Sequence, residues 1–152
     1  MRTALWLLMI PTLAGCAGQS SGTTAGAAFL PAAVQVAAGQ PMTDANRHTV
    51  MMLDDHRGPS TRPGKQCVRV SVTVTNSDTA DWLAPLNQMQ LSDARGFVYY
   101  KSDDCGTNTT MQSLGPGQSA SAVLYFEVLT NATIEFNWAP KIGDPGYSTP
   151  LR

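Results

Sequence analysis

Charge is scarce in this chain: 10 Lys and Arg against 11 Asp and Glu in 152 residues, 14% in all, for a net charge of -1. So few cations cannot assemble the basic surface that neutralises nucleic-acid phosphates, and there is no acidic tail. Nucleic acid is therefore not expected as a partner. Histidine is rarer still, with 2 in the chain, so only His48 and His56 could serve as general base or imidazole ligand. Neither sits in a nucleophile-elbow setting, and a non-enzymatic protein without a cofactor is expected. No apolar run approaches the roughly 20 residues of a membrane-spanning helix. No segment sustains the 3.6-residue apolar period of a convincing helix, although Trp82 to Asn87 has room for one short turn.

What is present begins with an address. Arg2 gives a positive flank, Ala4 to Ile10 an apolar core, and Pro11-Thr12 leads to Leu13-Ala14-Gly15-Cys16. This is a signal-peptide layout over residues 1–15 with a small-residue cleavage site. The last four residues resemble the lipobox of bacterial lipoproteins. The resemblance implies a diacylglycerol on the Cys16 sulfur, cleavage between Gly15 and Cys16, and often acylation of the new amine. More than one acyl chain matters because a single one holds a protein to a bilayer only marginally, at about 0.8 kcal/mol per buried methylene. The expected location is the extracytoplasmic side of a bacterial membrane, with the membrane itself as the partner of the anchor. A secreted chain whose cysteine falls there by chance is the alternative. Ala17, not Asp, follows the cysteine, which in a Gram-negative host favours the outer membrane.

Residues 16–30 are dominated by Ala, Gly, Gln, Ser and Thr, with no charge and too little apolar surface to order themselves, and read as a flexible tether. Twelve such residues hold a domain on the order of 20 Å from the membrane. The remainder, 31–152, is sized for one domain with a real core. With Cys16 assigned to lipid, Cys67 and Cys105 are left as a pair in an oxidising compartment. A bridge between them would close a loop of about 39 residues and stabilise by roughly 4 kcal/mol at most. Two reduced thiols are the alternative.

From Pro31 onward the period is two. Val68, Val70, Val72 and Val74 alternate with Arg69, Ser71, Thr73 and Thr75; Ala122, Leu124, Phe126 and Val128 alternate with Ser121, Tyr125 and Glu127; Ala132, Ile134, Phe136 and Trp138 alternate with Thr133, Glu135 and Asn137. Each run predicts a strand with one apolar and one wet face. The last two, joined by Leu129-Thr130-Asn131, predict a hairpin. A second hairpin is predicted where Met89 and Leu91 precede Ser92 to Gly96 and Phe97 to Tyr100 follow. Ala33 to Ala38 and His48 to Asp54 are weaker strands, separated by Gly39-Gln40-Pro41. With 13 Gly and 10 Pro punctuating about seven short strands, an immunoglobulin-like antiparallel β-sandwich is expected, a small β-barrel being the alternative.

Between Ala33 and Leu151 the chain resembles a family of Ig-like domains found in lipoproteins of Gram-positive bacteria and actinobacteria, related to the mycobacterial immunoprotective extracellular antigen. The carriers are Val74-Thr75-Asn76, then Pro85-Leu86 through Met89, Leu91, Asp93, Gly96 and Tyr99, and above all Leu114-Gly115-Pro116-Gly117-Gln118 leading into Val123 to Val128. In that family a Pro-Gly turn introduces the penultimate strand, and an ending like Tyr125-Phe126-Glu127-Val128 closes it. The chain departs from the pattern in its Cys67 and Cys105 pair and in the methionines near Met51. The family has no established common activity to carry over, so the resemblance implies fold and not chemistry.

Three clusters contain site-like chemistry. Met42, His48, Met51, Met52 and His56 are soft-metal ligand types that would suit Cu(I). Alternation places Met51 and Met52 on opposite faces, and core packing is the competing reading. Asp103, Asp104 and Asn108 surround Cys105, but their spacing matches no EF-hand-like loop. Trp82, Tyr99, Tyr100 and Tyr147 are aromatics of the kind that enrich binding patches. The expectation is a non-enzymatic interaction module of the bacterial envelope whose partner is an envelope protein or ligand. The alternatives are an exported copper-binding protein, for which Met51, His48 and His56 are the candidate ligands, and a structural envelope-accessory lipoprotein.

Overall fold

The computed structural model describes residues 33–140 and 146–151. The expected signal peptide, its Gly15/Cys16 cleavage site and the tether lie outside the described residues. Two short strands come first, β1 (Val34–Gln35) and β2 (Met42–Thr43), followed by the long pair β3 (His48–Pro59) and β4 (Lys65–Asn76). β5 (Trp82–Ala84) leads through one 3-10 turn at Leu86–Gln88 to β6 (Met89–Asp93) and β7 (Val98–Tyr99). The chain ends with β8 (Gln112–Leu114), β9 (Ser119–Leu129), β10 (Ile134–Trp138) and β11 (Tyr147–Pro150). No helix among the described residues is long and apolar enough to cross a membrane.

The strands form a β-sandwich, as the alternation requires. One layer has the order β1-β11-β10-β6-β7, the other β2-β3-β4-β9, and β5-β8 makes a small third sheet. The layers remain separate sheets, so the barrel alternative does not hold. Pairing is antiparallel except at the margin, where β1 runs parallel to β11. Val68, Val70, Val72 and Val74 are fully buried, as are Leu124, Phe126, Phe136 and Trp138. Val50, Met42, Leu86 and Leu91 complete the same core.

Two expectations are corrected by the layering. Ala122 to Leu129 and Ile134 to Trp138 are strands with the predicted inward faces, Ala132 and Thr133 belonging to the connection, but they are not a hairpin. β9 pairs with β4 and β10 pairs with β6 and β11, so the chain crosses from one layer to the other at 130–133. Asn131 makes that corner in a left-handed conformation, φ 63°. The physical reason is that both apolar faces belong to the same core, and crossing over sets them against each other. The second correction is Ala33 to Ala38, of which only Val34–Gln35 is strand; Gly39, at φ 81°, turns the chain immediately afterwards. Trp82 to Asn87 is strand and then a 3-10 turn.

The β6–β7 hairpin forms as predicted, with Leu91 opposite Tyr99 and Gly96 at φ 84°. The Pro116-Gly117 turn also forms, with Gly117 at φ 75°. What anchors that turn is Asn76, fully buried at the end of β4. Its Nδ2 donates to the carbonyls of Ala80 and Leu114, at 2.8 and 2.9 Å, and its Oδ1 accepts from the Asp78 N–H. Its own N–H and C=O bond the Gln118 carbonyl and the Gly117 N–H. One side chain thus joins the end of β4, the entry to β5 and the end of β8. Asn76→Ala removes the partner of two carbonyls at once and is expected to cost roughly 3 kcal/mol, read as a lower urea midpoint with an unchanged slope.

Candidate functional site

The long strands set the site through their register. On the outward side of the β3-β4-β9 layer, Cys67 lies between Gly58 and Glu127, and Arg69 lies between His56 and Tyr125. Neighbours in such rows are about 5 Å apart. A bulge between Met52 and Asp54 makes this arrangement possible, because it shifts the parity of the rest of β3 and turns His56 outward.

β9 would be the exposed edge of this layer, and residues 100–111 cover it. Ser102 N–H donates to the Tyr125 carbonyl at 2.8 Å, and Thr109 N–H to that of Val123 at 2.9 Å. In return Asn108 Oδ1 accepts the Tyr125 N–H at 2.7 Å, and Thr109 Oγ1 the Val123 N–H at 2.8 Å. The segment then reaches back over β9, where Cys105 is disulfide-bonded to Cys67 with a Cα–Cα separation of 5.5 Å. Gly106 rests on the Tyr125 ring: a Cβ there would lie 2.7 Å from the ring carbons, and its φ of 153° already disfavours a side chain. Glycine is what lets the segment lie flat on the phenol.

A cavity of about 240 Å³ results, lined by His56, Gly58, Pro59, Cys67, Arg69, Cys105 and Tyr125. Beside it, Glu127 is nearly buried and gathers cations from the β3–β4 connection and the start of β4. Ser60 Oγ donates to it at 2.6 Å, Arg62 Nη1 at 2.9 Å and Lys65 Nζ at 3.3 Å. The Ser60 hydrogen bond does most to hold the Glu127 carboxyl below its ordinary range; burial opposes it, and Lys65 and Arg62 reinforce it. Arg62 also pairs with Asp104. Arg69 is different: its guanidinium donates to Ser71 Oγ at 3.1 Å, and no carboxylate among the described residues pairs with it.

Two larger depressions have their carboxylates already engaged. One, of about 530 Å³, lies at the end of the sandwich near Asp93, Arg95 and residues 129–133. Asp93 accepts hydrogen bonds from the Arg95 and Phe97 N–H groups, the Arg95 side chain and the Tyr99 hydroxyl. Burial works against its charge, but these donors outweigh burial and hold its carboxyl below the ordinary range. The other, of about 480 Å³, lies along 101–110. There Asn108 Nδ2 donates to Asp103, and burial pushes the Lys101 ammonium pKa down, partly offset by Asp103.

The structure disperses the Met and His cluster. Met42 and Met52 are buried in the core, whereas Met51 sits on the outward face opposite Thr73. His48 lies at the inner end of β3, where Nδ1 hydrogen-bonds Asp44 Oδ2 at 2.9 Å and the ring stacks on Trp82 at 4.2 Å. His56 is eight residues further along the strand, about 26 Å at 3.3 Å per residue. No group of three His, Cys, Asp or Glu side chains able to hold a metal occurs among the described residues. Asp104 is tied to Arg62 and Asp103 to Asn108, so the acidic residues around Cys105 serve to fold the covering segment. Of the four aromatics, Trp82, Tyr99 and Tyr147 pack against the core and Tyr100 is exposed. Arg69, Tyr125, Glu127 and Asp93 were not among the expected site residues. For Arg69, Tyr125 and Glu127 the signal was an outward parity whose cross-strand neighbours a single sequence does not reveal; Asp93 instead shares the inward parity of Met89 and Leu91.

No protein-family model and no curated protein matches the chain. Solved structures do resemble it. An uncharacterized β-sandwich protein from Clostridium difficile 630 shares 10% identity at a TM-score of 0.57, over 79% of this chain and 95% of that one. The secreted protein MPT63 of Mycobacterium tuberculosis shares 15% identity at a TM-score of 0.59, over 79% of this chain and 97% of that one. A candidate lipoprotein, YcdA of Bacillus subtilis, shares 15% identity at a TM-score of 0.60, over 73% of this chain but only 38% of its own length. At these identities the likeness is one of fold, and it places the chain structurally among bacterial β-sandwich proteins.

Replacing both Cys67 and Cys105 by Ala is expected to lower stability by up to roughly 4 kcal/mol, the chain-entropy value for a loop of this size. It should also release the cover of β9, which gel filtration would show as self-association absent from the oxidised protein. Asp93 and Glu127 both have folded-state pKa values below their unfolded ones. Their stabilisation is therefore full above the ordinary carboxylate range, near pH 4, and is lost as pH falls through the folded-state values. Thermal melts should be level from pH 7 to 5 and fall below pH 4. Asp93→Asn should melt lower at pH 7 and show a shallower acid decline.

Proposed function

We propose that this protein is a lipid-anchored, non-enzymatic binding module of the bacterial envelope, tethered through Cys16 and working through the outward face of the β3-β4-β9 layer. The observation that carries this reading is the cysteine accounting. Cys67 and Cys105 are bonded to each other, so the one remaining thiol of the chain is Cys16, directly after Leu13-Ala14-Gly15. A disulfide across a surface segment fits an oxidising, extracytoplasmic setting. The structural likeness to a secreted mycobacterial protein and to a candidate Bacillus lipoprotein is in keeping with it.

The chemistry of the domain supports binding over catalysis. His48 has the carboxylate partner of a catalytic histidine, but Trp82 covers its ring and no hydroxyl or thiol hydrogen-bonds it among the described residues. The outward face instead offers a shaped cavity lined by a cation, Arg69, that no carboxylate among the described residues pairs with.

The test is Cys16→Ser expressed in a bacterial host fed labelled fatty acid. The parent protein is expected to take up label and sediment with membranes, and the variant to do neither. Membrane association and labelling that survive the substitution would overturn the anchor.

A further inference from the structure

We propose that the cavity beside the Cys67–Cys105 bridge is a binding site for an organic carboxylate with a small apolar body, held by the Arg69 guanidinium. This deepens the binding-module reading, on which it rests, by naming the ligand class of that face.

Arg69 is the reason. It is partly buried on β4, and the one acceptor it has among the described residues is Ser71 Oγ. Arg62, Lys65 and Arg95 are each paired with a carboxylate; of the described Arg and Lys side chains that form no ion pair with a described residue, Arg69 is the one that lines this cavity. A guanidinium has five N–H donors in a planar fork that fits a carboxylate with two parallel bonds. Partial removal from water without an anion is costly, which favours a ligand that supplies one.

The other walls select what the carboxylate is attached to. The Tyr125 ring, the disulfide and Pro59 are apolar, and Tyr125 is held in place by Gly106 packed on its face. Its hydroxyl and the His56 imidazole are the remaining polar groups of the lining. About 240 Å³ is below the roughly 300–1,000 Å³ of sites for drug-sized ligands, so a group of a few heavy atoms fits. A phosphate dianion makes several charge-assisted hydrogen bonds where it is bound tightly, and one unpaired cation serves it poorly. A carboxylate on a short apolar body matches both the single fork and the walls. Such a group occurs as a free short-chain acid or as the C-terminus of a peptide.

The experiment is an amide-detected NMR titration of the full chain carrying Cys16→Ser, which removes the lipid and so separates binding from anchoring. The probes are N-acetylalanine, butyrate, N-acetylalanine amide and inorganic phosphate. Saturable shifts at Arg69, Cys105 and Tyr125 are expected with the carboxylates, including movement of the Arg69 Nε–H resonance in otherwise unsubstituted protein. Arg69→Gln is expected to weaken binding at least 10-fold while the spectrum away from the cavity is unchanged. Stronger binding of N-acetylalanine assigns a peptide terminus, and stronger binding of butyrate a free acid. The site is overturned if neither carboxylate shifts the Arg69 Nε–H, if the amide or phosphate binds as well as the acids, or if folded Arg69→Gln binds like its parent. That outcome leaves the anchored-module reading, tested through Cys16, standing; failure of the anchor leaves the titration unaffected.

Discussion

The register of four valines governs this protein. Val68, Val70, Val72 and Val74 bury one face of β4 completely, at roughly 1.5–3 kcal/mol for each side chain fully removed from water. Because side chains alternate with a period of two, a slip of one residue would turn all four outward and bring Cys67, Arg69, Ser71 and Thr73 into the core. The burial therefore fixes more than stability. It decides that the disulfide is made on the outward side and that Arg69 faces His56 and Tyr125.

The second constraint is an edge. β9 is long and lies at the margin of its layer, where unpaired backbone groups invite association with other chains. Asn108 and Thr109 answer the N–H groups of β9 with side-chain oxygens, and the Cys67–Cys105 bridge pins the segment that carries them. The same segment walls the cavity. Protection of the edge and construction of the candidate site are thus one solution, and Gly106 is needed for both.

Much of this was legible in the residues. The alternating runs identified the inward faces of β4, β9 and β10, and Pro116-Gly117 and Ser92 to Gly96 identified two turns by their chemistry. The pairing of β9 and β10 was not legible, because two apolar-faced strands joined by a short connection satisfy a hairpin and a layer crossing equally well. Glu127 was expected to be wet by its parity, yet it is nearly buried under Ser60, Arg62 and Lys65, which are distant in sequence. The site residues were hidden for the same reason: β3 carries a bulge that no local signal announces, and only its shift brings His56 to the face of Arg69.

The parallel pairing of β1 with β11 bears on how the domain would carry load. A pull on the chain ahead of residue 33 would enter the described structure near β1, whose backbone bonds to its neighbour run from Val34 to Gly146 and from Val36 to Ser148. So short a pair carries few of the bonds that hold its sheet, so β1 can detach while the β10-β11 and β10-β6 ladders stay paired. The margin would act as a mechanical fuse, giving up a few residues of chain before the sandwich itself is strained.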